Sequence, residues 1–274
     1  MGERTKYTPG TFSWTDLTTP DQDAAKRFYG ELFGWELIDN PVGDGVVYTT
    51  AQIGGKDVAA ISPQPQQQRD AGAPPAWNSY ITVENADQSL ARAKQLGGTV
   101  HAPAFDVMTV GRMGVIQDPH GAYFLVWEPR EHIGASLVNA PGAISWNELA
   151  SPDPQASAAF YGGLFGWQTT AMEGMDFPYL VIQNADGHSN GGIAPVMPPV
   201  PRRTGSCTSA RTTSTPIWPR SPSSAGRRWS GRWTSAWARS RLLRIRRARC
   251  SRSSPGISTT DRRRRPTAAQ APPP

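Results

Sequence analysis

The stretch Trp14-Thr15-Asp16-Leu17-Thr18-Thr19-Pro20-Asp21-Gln22-Asp23-Ala24-Ala25-Lys26-Arg27-Phe28-Tyr29-Gly30-Glu31-Leu32-Phe33-Gly34-Trp35 decides the fold, because it returns 132 residues later. The second copy, Trp146 to Trp167, reads W-N-E-L-A-S-P-D-P-Q-A-S-A-A-F-Y-G-G-L-F-G-W and aligns without a gap. Self-similarity of that kind marks a duplicated structural unit. Each copy reads as strand, turn, helix and stop. Phe12 to Leu17 alternates large apolar and polar residues, the pattern of a half-buried strand. Thr19 is the expected N-cap, with Pro20 at the first helical position and Gln22 as capping-box partner. Ala24, Ala25, Phe28, Tyr29, Leu32 and Phe33 share one helical face, and Gly34 supplies a left-handed stop.

The charge is split along the chain. Residues 201–274 carry 18 arginines, no lysine and one acid, Asp261, for a net of +17. The 200 residues before them hold 10 basic and 21 acidic side chains, a net of −11. An arginine-rich segment invites a nucleic-acid reading, and a disordered tail is the plain alternative. A frameshift near Val200–Arg202 explains more, since arginine, serine, proline and tryptophan without lysine are what GC-rich DNA yields out of phase. Joining the third base of each codon to the first two of the next, Arg202 to Ser209 allow P-H-W-L-V-Y-F, and Arg211 to Ser214 allow D-D-V-D. Trp233 to Ala236 allow D-I-G, and Arg244 to Arg249 allow D-P-Q-G-A. These answer Trp77 to Val83, Asn85-Ala86-Asp87 and Asp118-Pro119-His120-Gly121-Ala122 in the first half, in the same order. The expectation is therefore a tail that is disordered or poorly packed as written, and no nucleic-acid partner.

Both cysteines, Cys207 and Cys250, fall in the tail, so the body has no thiolate metal site or disulfide framework. No apolar run is long enough to cross a membrane and no signal peptide is read, which gives a soluble cytoplasmic protein as the expectation.

In order, strands are expected near Glu36–Asn40, Val46–Ile53 and Asp57–Ser62, then a linker over 63–76. A second module begins with the strand Trp77–Val83 and a helix from Ala86 to Leu96 that stops at Gly97-Gly98. It continues with strands near Val100–Asp106, Gly111–Gln117 and Tyr123–Glu128. After a connector, the repeated module brings strands near Gln168–Met172, Tyr179–Asn184 and Gly191–Pro195.

This α+β order of tandem β-α-β-β-β modules, with F-Y-x-x-L-F-G-W closing odd helices and D-P-x-G in the even one, resembles the vicinal oxygen chelate superfamily. That is the glyoxalase, bleomycin-resistance and extradiol-dioxygenase group. W-x-[DE]-L at each start and His132-Ile133-Gly134-Ala135 between the halves look most like its tandem-domain, "hydroxylase"-type glyoxalase-like members. The resemblance implies a two-module domain over 11–129, a connector over 130–142 and half of a second domain over 143–200. Residues 201–274 stand outside it.

Metal-dependent relatives place His or Glu on the first and last strands of their modules. By the resemblance these positions fall on Trp14, Asn78, Trp146 and Leu125, which are poor ligands for a hard cation. The expectation is no resident cofactor, with a divalent metal as the alternative. Asp16 and Glu148, two residues further along each first strand, point the way Trp14 and Trp146 point. They are the candidate catalytic acids, the alternative being carboxylates bonded to neighbouring backbone. Trp14, Asn78, Tyr80 and Trp146 are the candidate substrate-binding residues, the alternative being core. His101, His120, His132, His188 and Glu128 are read as structural or solvent-facing.

Two functions remain open at this point. One is a glyoxalase-like enzyme, lyase or oxidoreductase, acting on an oxygenated or thiol-conjugated carbonyl compound. The other is a metal-free protein that sequesters a small molecule. A homodimer is the way another copy could supply the missing half.

Overall fold

In the computed structural model, residues 2–197 and the backbone of Arg232–Ser235 are described, all within one unit spanning Met1–Ala238. The elements are β1 (Gly2–Glu3), β2 (Phe12–Thr19), α1 (Gln22–Phe33), β3 (Glu36–Gly43), β4 (Val46–Ile53), β5 (Lys56–Pro63), α2 (Gln66–Asp70), β6 (Ala76–Thr82), α3 (Ala86–Gln95), β7 (Thr99–Val100) and β8 (Phe105–Val107). They continue with β9 (Gly111–Gln117), β10 (Tyr123–Pro129), β11 (Leu137–Val138), β12 (Asn147–Ser151), α4 (Pro154–Phe165), β13 (Gln168–Ala171), β14 (Leu180–Gln183), β15 (Ser189–Pro195) and β16 (Arg232–Ser235).

The first two modules build one sheet of order β3-β4-β5-β2-β6-β10-β9-β7, with β8 also on β9. At its centre β2 runs antiparallel to β6, while β2 is parallel to β5 and β6 parallel to β10. The two modules thus repeat one topology about the β2–β6 seam. The third module repeats it again in the sheet β13-β14-β15-β12-β16. The place beside β12 that corresponds to β6 is taken by β16, a strand inside the stretch where none was expected. The rest of the tail expectation lies outside the described residues.

One face of the first sheet carries the helices. Leu90 of α3 packs there with Ile81, Ile116, Phe124 and Val126, sitting over Gly114, where any side chain would collide with it. The other face carries Trp14, Tyr80, Val115, Leu125 and Trp127, covered in part by Ala135 and Leu137 of the connector and by Ile144 just beyond it. Ala135 N donates to Ser13 O at 2.7 Å and Ser136 N to Asp57 O at 2.9 Å, so the connector crosses from β2 to β5.

Several local expectations need correction. Asp21, not Thr19, caps α1, its carboxylate accepting from Ala24 N at 2.9 Å. Gln22 is no capping-box partner. Its amide donates to Val47 O, Thr49 Oγ1 and Ile61 O, tying the helix start to β4 and β5, because a long amide over strand ends meets more acceptors than one at the cap. The 63–76 linker contains α2, and the strand expected over 100–106 is broken into β7 and β8. Gly34 and Gly166 end α1 and α4 at φ 70° and 72°, as expected of a left-handed stop. Among the described residues no helix is long and apolar enough to cross a membrane.

Candidate functional site

The β2–β6 register places Asp16 opposite Asn78 and Trp14 opposite Tyr80, on the face away from the helices. Asp16 is 3% exposed. Its Oδ1 accepts from Asn78 Nδ2 at 2.7 Å, and its Oδ2 from Tyr80 Oη at 2.7 Å and Tyr48 Oη at 3.2 Å. Trp14 Nε1 donates to Tyr48 Oη at 2.8 Å, completing a chain from indole to phenol to carboxylate. Burial raises the Asp16 pKa above the usual carboxylate range against the pull of those three hydrogen bonds. Burial, then the Asp16 charge, holds the Tyr48 and Tyr80 hydroxyls well above the ordinary phenol range, so both stay donors.

The connector contributes His132. Its ring meets Trp14 edge-on with centroids 4.7 Å apart, and its carbonyl accepts from Trp127 Nε1 at 2.8 Å. His132 Nε2 lies 3.6 Å from Asp57 Oδ2, and Gln52 Nε2 donates to Asp57 Oδ1 at 2.7 Å. The His132 contact outweighs burial and lowers the Asp57 pKa.

The same chain recurs in the second half. Trp146 Nε1 donates to Tyr179 Oη at 2.8 Å, and Tyr179 Oη to Glu148 Oε2 at 3.3 Å. The structure therefore brings Trp14, Asp16, Asn78 and Tyr80 into one cluster, and Trp146 and Glu148 into another. Tyr48, Tyr179, Asp57 and His132 were not anticipated as members. Alternation along β4 was the available signal for Tyr48. Tyr179 was masked because it sits 131, not 132, residues later, where the repeat has lost register.

The first cluster does not fit a divalent cation. The ligand positions implied by the resemblance hold Trp14, Asn78, Trp146 and Leu125, and the Asp16 oxygens already accept from three side chains. Among the described residues no group of three or more His, Cys, Asp or Glu side chains could hold a metal. Glu128 is structural, its Oε2 accepting from Ala86 N at 2.9 Å at the start of α3. His120 is likewise structural, lying in a turn whose Asp118 accepts from His120 N, Ala122 N and Tyr161 Oη, with its own Nδ1 3.1 Å from Ser157 Oγ of α4. A cleft of about 260 Å³ opens elsewhere, between the N-terminal segment and the β14–β15 turn, and Trp14 and Asp16 do not line it.

Known proteins share this architecture. The chain belongs to the "Glyoxalase/Bleomycin resistance protein/Dioxygenase superfamily", whose family description matches residues 11–126. It is similar to "Putative glyoxylase CFP32" of Mycobacterium bovis, 44% identical over 203 residues that cover 73% of this chain and 77% of that protein. It is also similar to "Anthracycline biosynthesis protein DauV" of Streptomyces sp. (strain C5), 34% identical over 174 residues, 59% of this chain and 62% of that one. Among solved structures, the Mn(II)-bound glyoxalase of Novosphingobium aromaticivorans shares the fold at TM-score 0.50 and 18% identity, over 68% of this chain. This chain spans 62% of the length of that structure.

Proposed function

We propose that the chain is a glyoxalase-like enzyme acting on a small oxygenated or thiol-conjugated carbonyl compound, with Asp16 as general base and Glu148 as its counterpart in the second half. The observation that carries this reading is the buried Asp16 carboxylate, its pKa raised by burial while three side chains hold it in one orientation. A carboxylate raised toward the working pH is a stronger proton acceptor than an exposed one.

On the hemithioacetal of an α-ketoaldehyde, Asp16 takes the proton from the carbon bearing the sulfur and hydroxyl, leaving an enediolate, and returns it to the adjacent carbon, while the hydroxyl proton passes to the former ketone oxygen, so that an isomeric 2-hydroxy thioester forms without a co-reactant. As Asp16 accepts the proton, its hold on the Tyr48 and Tyr80 hydroxyls weakens, and one of them turns to the developing oxyanion. Trp14 and Asn78 flank the substrate, as Trp146 does in the second half. In this reading the protein works in the cytoplasm on a small molecule, without a nucleic-acid partner.

A second reading, a metal-free binding protein, is favoured by one fact: both Asp16 oxygens are already engaged, beside an aromatic wall. The relative named for anthracycline biosynthesis supports an aromatic ligand in that case. Chelator-treated protein incubated in D₂O with hemithioacetals of α-ketoaldehydes, followed by NMR, separates the two. Conversion supports the enzyme, with protium retained on the product carbon to the extent that Asp16 returns the proton it took. Saturable binding without conversion supports the binding protein, and no interaction contradicts both.

A further inference from the structure

The cleft of about 260 Å³ between the N-terminal segment and the β14–β15 turn carries two cations with no acid to balance them. Residues 1–200 hold 10 basic side chains against 21 acids, so a cation in this body meets carboxylates readily. Lys26 pairs with Asp39, Lys56 with Glu3, Arg112 with Asp87 and Asp106, and Arg130 with Asp106. Arg4 and Lys6, both lining the cleft, form no ion pair among the described residues, and Glu3 beside them turns to Lys56 instead. The one acid among the cleft's described lining residues, Asp186, is already engaged. Its Oδ1 accepts from His188 N at 3.1 Å and lies 3.2 Å from His188 Nδ1.

Deeper in the cleft most polar atoms are committed. Asn184 Nδ2 donates to Thr11 Oγ1 at 2.9 Å. Asn190 Oδ1 accepts from Phe12 N and its Nδ2 donates to Gly10 O, both at 3.2 Å. Asn147 differs. It is 3% exposed and its Oδ1 accepts from Ser79 Oγ at 3.3 Å, but its Nδ2 has no partner among the described residues. A buried donor left unpaired is costly, and an acceptor bound in the cleft removes that cost. Asn147 lies between Trp146 and Glu148 in the chain, so its side chain leaves the strand on the face opposite theirs. Neither Trp146 nor Glu148 lines the cleft. Val138 and Ile144, both buried, give it an apolar backing.

We propose that this cleft is a binding site for a short carboxylic acid carrying a second oxygen, a hydroxy or oxo acid. The carboxylate meets Arg4 and Lys6, the second oxygen accepts from Asn147 Nδ2, and the carbon chain lies on Val138 and Ile144. The planar fork of Arg4 matches a carboxylate edge. The cleft has the volume of about eight or nine waters, which suits an acid of a few carbons. The site stands apart from Asp16 and does not rest on the general-base reading.

Calorimetric titration of the full chain at fixed ionic strength tests the assignment, with 2-hydroxypropanoate, 2-oxopropanoate, propanoate and inorganic phosphate as separate probes. The hydroxy or the oxo acid is expected to saturate one site with a millimolar or tighter Kd. Propanoate, which offers Asn147 no acceptor, is expected to bind at least about tenfold more weakly. Replacing the exposed pair by Arg4→Gln and Lys6→Gln should weaken the acid by about tenfold or more, and Asp16→Asn should leave its affinity unchanged. No saturation by either acid up to about 10 mM would overturn the proposal. So would an affinity that survives the loss of both cations, one that is lost with Asp16→Asn, or phosphate binding more tightly than either acid.

Discussion

Trp35 and Trp167 stand 132 residues apart and make one hydrogen bond each into the opposite half, to Gly142 and Gly10. Each indole also stacks near a tyrosine of its own helix, Tyr29 and Tyr161 respectively. These two bonds fasten the first sheet to the third module from both sides. Trp35→Phe and Trp167→Phe keep the aromatic bulk and remove the donor, so each should cost about 1 kcal/mol. Denaturant titration should show the two losses equal to within about 0.5 kcal/mol. A large loss for one and none for the other would mean that the halves are not fastened reciprocally.

Gly192 and Ala60 are counterparts that differ for a reason. Ala60 lies beside Asp16, and Gly192 beside the longer Glu148. A Cβ at Gly192 would collide with Tyr179, which lies over it. Gly192→Ala should therefore displace Tyr179 from Trp146 and Glu148 and destabilise the third module by about 1–3 kcal/mol. The change in Trp146 fluorescence on substitution, set against a Tyr179→Phe control, reads out that displacement.

Glu128 closes the last strand of the second module but serves α3. Glu128→Ala removes the acceptor for Ala86 N and a negative charge at a helix start, for a cost of about 1 kcal/mol. Metal content should not change with it. A loss of bound metal in the variant would contradict this structural role and make Glu128 a ligand.

The sign of the Asp16 contribution to stability is fixed by the direction of its shift. Its pKa is raised in the folded state, so folding takes up a proton at pH values between the unfolded and folded pKa. Asp16 therefore makes stability fall as pH rises from the ordinary carboxylate range through the raised folded value. Asp16→Asn removes that slope, and the difference between variant and wild type should move in favour of the variant as pH increases. Unfolding midpoints collected across that range check it, and a difference moving the other way would contradict the shift.

Much of the fold was legible because the repeat and the period-two strands are backbone-level signals. β4 and β9 fall at the expected residues, and Gly34 and Gly166 end their helices as glycine should. What was not legible came from long-range contacts. Phe28 lies on the apolar stripe of α1 yet is 45% exposed, because exposure is decided by what packs on that helix, which the stripe alone does not reveal. Gln22 looked like a capping-box partner because its three acceptors, on β4 and β5, are far along the chain. In the site, Trp14, Asp16, Asn78 and Tyr80 could be placed on one face by alternation and strand pairing. His132 could not, since an irregular connector has no periodicity to say where its side chains return.

Turnover of a hemithioacetal by wild type and Asp16→Asn tests the role of the buried carboxylate most directly, with circular dichroism confirming that both proteins are folded. Wild type is expected to convert the substrate, and Asp16→Asn to be slower by about 10²–10⁴-fold in kcat with the fold retained. Wild-type rates in a folded Asp16→Asn variant would contradict a general base at this position.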